Sequence, residues 1–270
     1  VRKHLSAIQG GRLAAACRAP VLALIISDVT GDDPTNIASG PCTPDPTTYS
    51  DALAIIGRYD IDAPAAVMTT LQAGARGERD ETLKPGNKLL KHVENRVIAT
   101  AYHSLQAAAE YLRTAGINPV ILSDSITGEA REVAKVFAAL VKQIRQYQHP
   151  WKTPVALISG GETTVTIHES SRRGRGGRNT EFLLALAIEL AGKANIHALA
   201  GDTDGIDGTE NNAGAIIAPH SLQRATQQDL NPAALLAIHD AYAFFQQLDD
   251  LIVTGPTRTN VNDYRVILVL

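Results

Sequence analysis

RVIATAYHSLQAAAEYLRTAGINPVILSDSITGEAREVAKVFAALVKQIRQY, residues Arg96 to Tyr147, alternates short aliphatic runs with longer helical patterns. Arg96–Thr100 and Pro119–Ser123 have strand length and β-branched content, whereas Ser104–Ala115 and Gly128–Tyr147 carry apolar residues at helical spacing. A β-α-β-α order favours a largely parallel sheet with covering helices, because a parallel crossover needs a dozen or more residues.

The same alternation extends both ways. Upstream, Val21–Ser27 is β-rich and runs into a polar turn, Asp28–Pro34, followed by a loop of Gly, Pro and Ser over Thr35–Pro46. Tyr49–Tyr59 and Pro64–Ala73 have helical spacing, with Thr48 or Ser50 available as a cap. Gly74–Asn95 is a charged surface excursion broken by Pro85 and Gly86. Downstream, two prolines flank the polar stretch Gln148–Pro154, the best internal boundary. Beyond it, Val155–Ile158 and Thr163–His168 read as strands around Gly160 and Gly161, and Asn179–Ala191 as a helix buried almost all round. Ile196–Ala200, Ala215–Ala218, Leu251–Thr254 and Val266–Leu270 complete a second set of strands. The expected fold is α/β, with two α/β domains built on largely parallel or mixed sheets. Residues 1–150 form a Rossmann-like, incomplete first domain and 151–270 a second.

Composition narrows the function. The 270 residues suit two domains of roughly 100–200 residues each. A net charge of −3 argues against nucleic acid as the main partner. The longest apolar run, Val21–Ile26, is far from the ~20 residues a membrane-spanning helix needs, so no membrane partner is expected. Cys17 and Cys42 lack metal-ligand spacing and suit reduced packing thiols in a cytoplasmic protein. Met68 is the only methionine, and Val1 followed by Arg2, Lys3 and His4 resembles neither an initiator nor a signal peptide. A processed chain or a piece of a longer one is therefore expected.

Four segments at strand ends carry the candidate chemistry, and in open α/β sheets ligands bind at the carboxyl ends of strands. Ser159-Gly160-Gly161-Glu162-Thr163 is either a backbone anion cradle or a tight turn. In Arg173–Asn179, Gly176 and Gly177 precede a helix, where free N–H groups favour a phosphate, and Arg178 offers a forked donor. Arg172, Arg173 and Arg175 suit a solvated basic loop, and an RNA-binding reading lacks interleaved aromatics. Gly174-x-Gly176-x-x-Asn179 misses the third glycine of the dinucleotide fingerprint, and no P-loop occurs. Gly201–Gly208 crowds Asp202, Asp204 and Asp207 into six residues, a density that a divalent cation such as Mg²⁺ relieves. Ile206 stands where an EF-hand needs an oxygen ligand, and a dehalogenase-type nucleophile motif is imperfect. Thr254–Asp263 offers hydroxyls, amides and one carboxylate, suited to a polar ligand or a plain loop. Ile26–Pro34 with Ala38–Pro41 has the same character. Together these residues suggest phosphoryl transfer, and by inventory alone equally a phosphatase or a sugar-phosphate isomerase.

Six stretches in order give the sequence a strong resemblance to the glycerate 2-kinase, or MOFRL, family: Val1–Ala14, Ile26–Pro41, Ser159–Thr166, Gly174–Ala187, Ala200–Ala215 and Thr254–Asp263. The resemblance implies ATP-dependent phosphorylation of D-glycerate at its 2-hydroxyl, with Mg²⁺, in a cleft between two α/β domains. It implies catalytic roles for Arg178, at the phosphoryl groups, and for Asp204. Ser159, Gly160, Gly161, Glu162, Gly176, Gly177 and Asn179 would bind the nucleotide. Asp204 and Asp207 would bind metal or the substrate hydroxyl, and Thr257, Asn260, Asn262 and Asp263 would line the substrate site. Thr180 stands where Gln or Ala is common in the family, and Arg258 where a smaller residue is. Family members also carry a long segment before the Val1–Ala14 stretch, with an SGGGS-type loop and a functional lysine. Without it, these 270 residues are expected to bind ATP poorly and to turn over slowly or not at all. Members labelled hydroxypyruvate reductases make an NAD(P)H oxidoreductase the alternative, and a non-catalytic binding module is a third. Self-association into a homo-oligomer is compatible with all three.

Overall fold

The computed structural model describes residues 1–167 and 174–270. The chain divides into two units, Val1–Ile98 and Ala99–Leu270, earlier than the boundary expected at residue 150. The physical reason lies in one ladder: the strand at residues 118–123 pairs in parallel with the strand at 155–159, so both belong to one sheet despite the prolines between them.

In the first unit, short helices α1 (Arg2–Leu5) and α2 (Arg12–Ala15) precede strand β1 (Val21–Ile26). Helices α3 (Tyr49–Arg58) and α4 (Ala65–Ala75) follow, then β2 (Val93–Ala99), the partner of β1 in a two-stranded sheet. Thr48 caps α3 in a reciprocal capping box with Asp51. Tyr49, Ala52, Ile56 and Leu71 form a small core between α3 and α4. Beneath it lies a buried polar cluster. His4 meets Thr47 at 3.2 Å, and Asp45 accepts from Thr47 and Thr82. Burial holds the His4 imidazole below its usual pKa.

The second unit holds helix α5 (Ala101–Thr114), strands β3 (Asn118–Ser123) and β4 (Gly128–Glu129), helix α6 (Ala130–Tyr147), strands β5 (Val155–Ser159) and β6 (Thr163–Thr164), and helix α7 (Arg178–Leu190). Strands β7 (Ile196–Asp202) and β8 (Gly214–Ile217), helices α8 (Ser221–Gln227), α9 (Pro232–Ala237) and α10 (Ala241–Gln247), and strands β9 (Leu251–Ile252) and β10 (Asp263–Val269) complete it. The six-stranded sheet is mixed, in the order β3-β5-β10-β7-β8-β9. Within it only the β3–β5 pair is parallel and the other pairs are antiparallel, while β4 and β6 form a separate parallel pair. The rest turn back through loops and short helices, which allows antiparallel neighbours.

β5 is buried on both faces, as its unbroken aliphatic run requires. Val155 and Leu157 join α6 and α7 in the main core, while Ala156 and Ile158 face α5 through Leu105 and Ala109. Phe137 of α6 meets Phe182 of α7 edge to face at 5.5 Å, and full burial of each ring stabilises by about 2–3 kcal/mol. The expected strand Thr163–His168 is shorter, ending at Thr164, and His168 lies outside the described residues. Helices α8 to α10 fill a stretch in which the sequence reading placed no elements. Asn231 caps α9 with Pro232 at its first turn, a signal present in the sequence. Cys17 is exposed and Cys42 half-buried, so Cys17 is not a packing thiol. No described helix is long and apolar enough to cross a membrane.

Candidate active site

Strand direction gathers the candidate segments at one edge of the second unit's sheet. β5 and β7 run in the same sense on either side of antiparallel β10, so their C-terminal ends flank the start of β10. Arg265 lies opposite Ser159 and Ala200, and Asp263 lies opposite Asp202. Side chains alternate along a strand, so Val155 and Leu157 share a face with Ser159. By the same rule Ile196, Ala198 and Ala200 lead to Asp202, and Val269 and Ile267 lead to Arg265 and Asp263. Helix α7 therefore packs its body on aliphatic rows and its first turn on a buried layer of charge.

Arg178, the first residue of α7, is the hub of that layer. Its Nε donates to both Asp263 oxygens at 2.9 and 3.1 Å, its Nη2 to Asp202 at 2.6 Å and its Nη1 to Glu162 at 2.7 Å. Arg265 is fully buried beneath it and stacks on Phe182 at 5.4 Å. Its Nη2 donates to Asp263 at 2.5 Å and to Thr163 Oγ1 at 3.1 Å, and its Nη1 to the Gly160 carbonyl at 3.3 Å. Two guanidinium groups thus face three carboxylates. Burial pushes the Asp202 carboxyl up to about 6; the neighbouring Asp263 charge reinforces the shift, and the Asp204 N–H and Arg178 oppose it. Burial also works against the Arg178 charge, but Asp263, Asp202 and Glu162 together hold its pKa above the ordinary value.

The helix start expected to hold a phosphate is already occupied by the protein's own anion. Buried Asp207 accepts at Oδ1 from the Asn179 N–H (2.9 Å) and Nδ2 (3.2 Å), and at Oδ2 from the Thr180 N–H (2.9 Å) and Oγ1 (2.9 Å). Asp207 thus caps α7 with both oxygens engaged, and Asn179 Nδ2 also donates to Asp263. The glycines are crowded by protein as well. A Cβ on Gly177 would stand 2.4 Å from Asp207 Oδ1, one on Gly176 3.1 Å from Thr180 Oγ1, and one on Gly161 (φ +99°) 2.3 Å from the Ile126 nitrogen. The Gly160 N–H donates to the Ser123 carbonyl, and Ser159 is fully buried. Among Ser159, Gly160, Gly161 and Glu162, only Glu162 is exposed.

Asp204 is half-buried, and its Oδ1 accepts from the Ile206 N–H at 2.7 Å. Its carbonyl accepts from the Thr257 N–H at 3.0 Å, and Thr257 Oγ1 donates to the Thr203 carbonyl at 2.5 Å. Asn260 Oδ1 accepts from the Asn262 N–H at 2.9 Å, and the Asn262 carbonyl accepts from Thr203 Oγ1 at 2.7 Å. The 254–262 loop is therefore stitched to the Asp-rich loop, with Thr257 exposed and Asn260 half-buried. Asn262 and Asp263 are buried, and Asp263 anchors Arg178 and Arg265. Among the described residues no group of three or more His, Cys, Asp or Glu is placed to hold a metal ion. Arg175 lies over the Tyr242 ring at 4.9 Å, and Arg172 and Arg173 lie outside the described residues.

Asp202 and Arg265 are the residues of this site that sequence reasoning left without a role. Asp202 was visible only as one of three crowded carboxylates. Arg265 had a clearer signal, a lone charge inside the apolar run Val266–Leu270 and its preceding Tyr264, which requires a buried counter-charge once the strand is central.

The MOFRL family model matches residues 155–263, and a domain of unknown function, DUF4147, matches residues 1–72. Two Agrobacterium vitis proteins named putative hydroxypyruvate reductase are 50% and 47% identical over the whole chain, which covers 60% and 68% of their lengths. A glycerate 2-kinase of Pyrococcus horikoshii is 37% identical, again over the whole chain and 60% of its own length. The crystal structure of glycerate kinase from Thermotoga maritima superposes with a TM-score of 0.85 at 35% identity, covering 100% of this chain and 62% of that one.

Proposed function

The chain belongs to the MOFRL family of glycerate kinases and putative hydroxypyruvate reductases, and from that membership we propose that it serves ATP-dependent phosphorylation of D-glycerate at the 2-hydroxyl. The observation that carries this reading is the Arg178 guanidinium, held at the sheet edge by carboxylates from three different segments. Such a fixed, forked cation suits the charge that spreads over phosphoryl oxygens in transfer. In the reaction the substrate's 2-hydroxyl oxygen forms a bond to the γ-phosphorus as the bond to ADP breaks, and the hydroxyl proton is released to solvent. Asp204 is assigned to that hydroxyl, and Thr257 and Asn260 to the polar groups of the acceptor. Mg²⁺ bound with the nucleotide would neutralise phosphate charge. A cytoplasmic setting accompanies the proposal, in keeping with two free cysteines.

The test uses the protein expressed from its complete reading frame, supplied with ATP, Mg²⁺ and D-glycerate. Phosphoglycerate formation supports the kinase, and Arg178→Ala lowers turnover by orders of magnitude through lost transition-state stabilisation. A near-normal rate in that variant removes Arg178 from the chemistry.

The names of the Agrobacterium vitis relatives favour a second reading, an NAD(P)H-dependent hydroxypyruvate reductase. Against it stands the missing dinucleotide fingerprint, whose nearest match ends at Asn179 on the Asp207 carboxylate. Hydroxypyruvate-dependent oxidation of NAD(P)H without ATP would decide for the reductase.

A further inference from the structure

The three carboxylates around Arg178 are not equivalent. Asp263 is completely buried and is held by Arg265 and by Asn179 Nδ2 as well as by Arg178. The Asp202 side chain is 5% exposed, and its Oδ1 accepts from the Asp204 N–H at 3.1 Å. The Glu162 side chain is 51% exposed, and among the described residues Arg178 Nη1 is its hydrogen-bond partner.

The backbone on both sides of Glu162 is anchored. The Gly161 carbonyl accepts from the Asp263 N–H at 3.2 Å, Thr163 pairs with Gly128 of β4, and Thr163 Oγ1 accepts from Arg265. The Glu162 side chain can therefore leave Arg178 without moving the turn. Its departure breaks one half-exposed pair, a contact that contributes only a few-fold to an equilibrium constant. Removing Asp202 or Asp263 from the same guanidinium would strand a buried charge, at far greater cost.

Charge balance points the same way. Arg178 and Arg265 already face one carboxylate more than they can neutralise. A phosphoryl group added beside all three would meet repulsion from each, whereas exchange for Glu162 removes one negative charge as it brings in another.

We infer that Glu162 is an internal stand-in for the anionic ligand of Arg178, holding Nη1 until a phosphoryl oxygen displaces it. The inference rests on the assignment of Arg178 to phosphoryl groups under the kinase reading. It makes anion binding an exchange reaction, in which the site trades a tethered carboxylate for a diffusing oxyanion.

The experiment is a calorimetric titration of the full chain with inorganic phosphate at constant ionic strength, on wild type, Glu162→Gln, Arg178→Lys and the double variant. Thermal melts confirm that each variant is folded. With the competitor neutralised, Glu162→Gln binds phosphate about fivefold more tightly than wild type, and Arg178→Lys abolishes that gain. Equal or weaker binding by Glu162→Gln, with binding still lost in Arg178→Lys, overturns the stand-in role and leaves Arg178 as the phosphoryl ligand. Phosphate binding that is absent throughout, or indifferent to Arg178→Lys, overturns the Arg178 assignment and this inference with it.

Discussion

Replacing Asp207 by Asn separates a capping carboxylate from a metal ligand. In the wild type each Asp207 oxygen accepts two hydrogen bonds, between 2.9 and 3.2 Å, from Asn179 and Thr180 at the start of α7. An Asn amide keeps one acceptor oxygen and turns an NH₂ group toward the other pair of donors. Two charge-assisted bonds are lost, each contributing about 1.5–3 kcal/mol. Burial raises the Asp207 pKa, so removing its charge offsets part of that loss. The net destabilisation is somewhat below the ~3–6 kcal/mol of the two lost bonds, against a typical domain stability of about 5–15 kcal/mol. Asp207→Ala, which leaves all four donors without the carboxylate, costs more. Urea unfolding followed by tryptophan fluorescence reads the right unit, because Trp151 is the only tryptophan and packs against the α6–α7 core. Stability of Asp207→Asn within about 0.5 kcal/mol of wild type, together with lost Mg²⁺ binding, would refute the capping role and reinstate the metal ligand.

The raised Asp202 pKa makes stability fall as pH rises. The folded state holds a proton up to about pH 6 while the unfolded carboxyl releases it near 3.8, so the second unit is about 1 kcal/mol more stable at pH 5 than at pH 7, and Asp202→Asn flattens that slope in the same unfolding assay. Gly161→Ala sets a left-handed residue against the Ile126 backbone and costs upwards of about 2 kcal/mol. Gly116→Ala, equally left-handed (φ +73°) but with open space around it, costs roughly 1–2 kcal/mol; equal losses at the two positions would contradict the packing role of Gly161. Arg265→Met leaves Asp263 short of one buried counter-charge and lowers stability by about 3–5 kcal/mol, and adding Asp263→Asn recovers part of it; independent, additive losses would show that the two do not form one pair.

Much of this fold was legible in the residues. β5 and α7 are signalled by apolar runs that admit no exposed face, and α5 and α6 by their periodicity, since burial alone dictates those patterns. Strand direction was not legible. It depends on where each chain segment returns to the sheet, and the returns through 203–213 and 253–262 carry no periodic signal. The candidate segments were legible as glycine- and acid-rich strand ends, but their contacts were not. Gly161, Gly177 and Asp207 stand out in the sequence, but what lies opposite a glycine or a carboxylate is fixed by tertiary contacts. Ile126 lies 35 residues before Gly161, and Asp207 lies 30 residues after Gly177. The register of β10 decides the rest, because it brings Asp263 and Arg265 beneath Arg178 and between Asp202 and Ser159.

The kinase reading meets its most direct test in ³¹P NMR of ATP, Mg²⁺ and D-glycerate with the protein from its complete reading frame, beside its Arg178→Ala variant. A 2-phosphoglycerate resonance that grows with the wild type and is lost in the variant is the predicted result. No phosphoglycerate from the wild type, with hydroxypyruvate-dependent NAD(P)H oxidation by the same preparation, would contradict it.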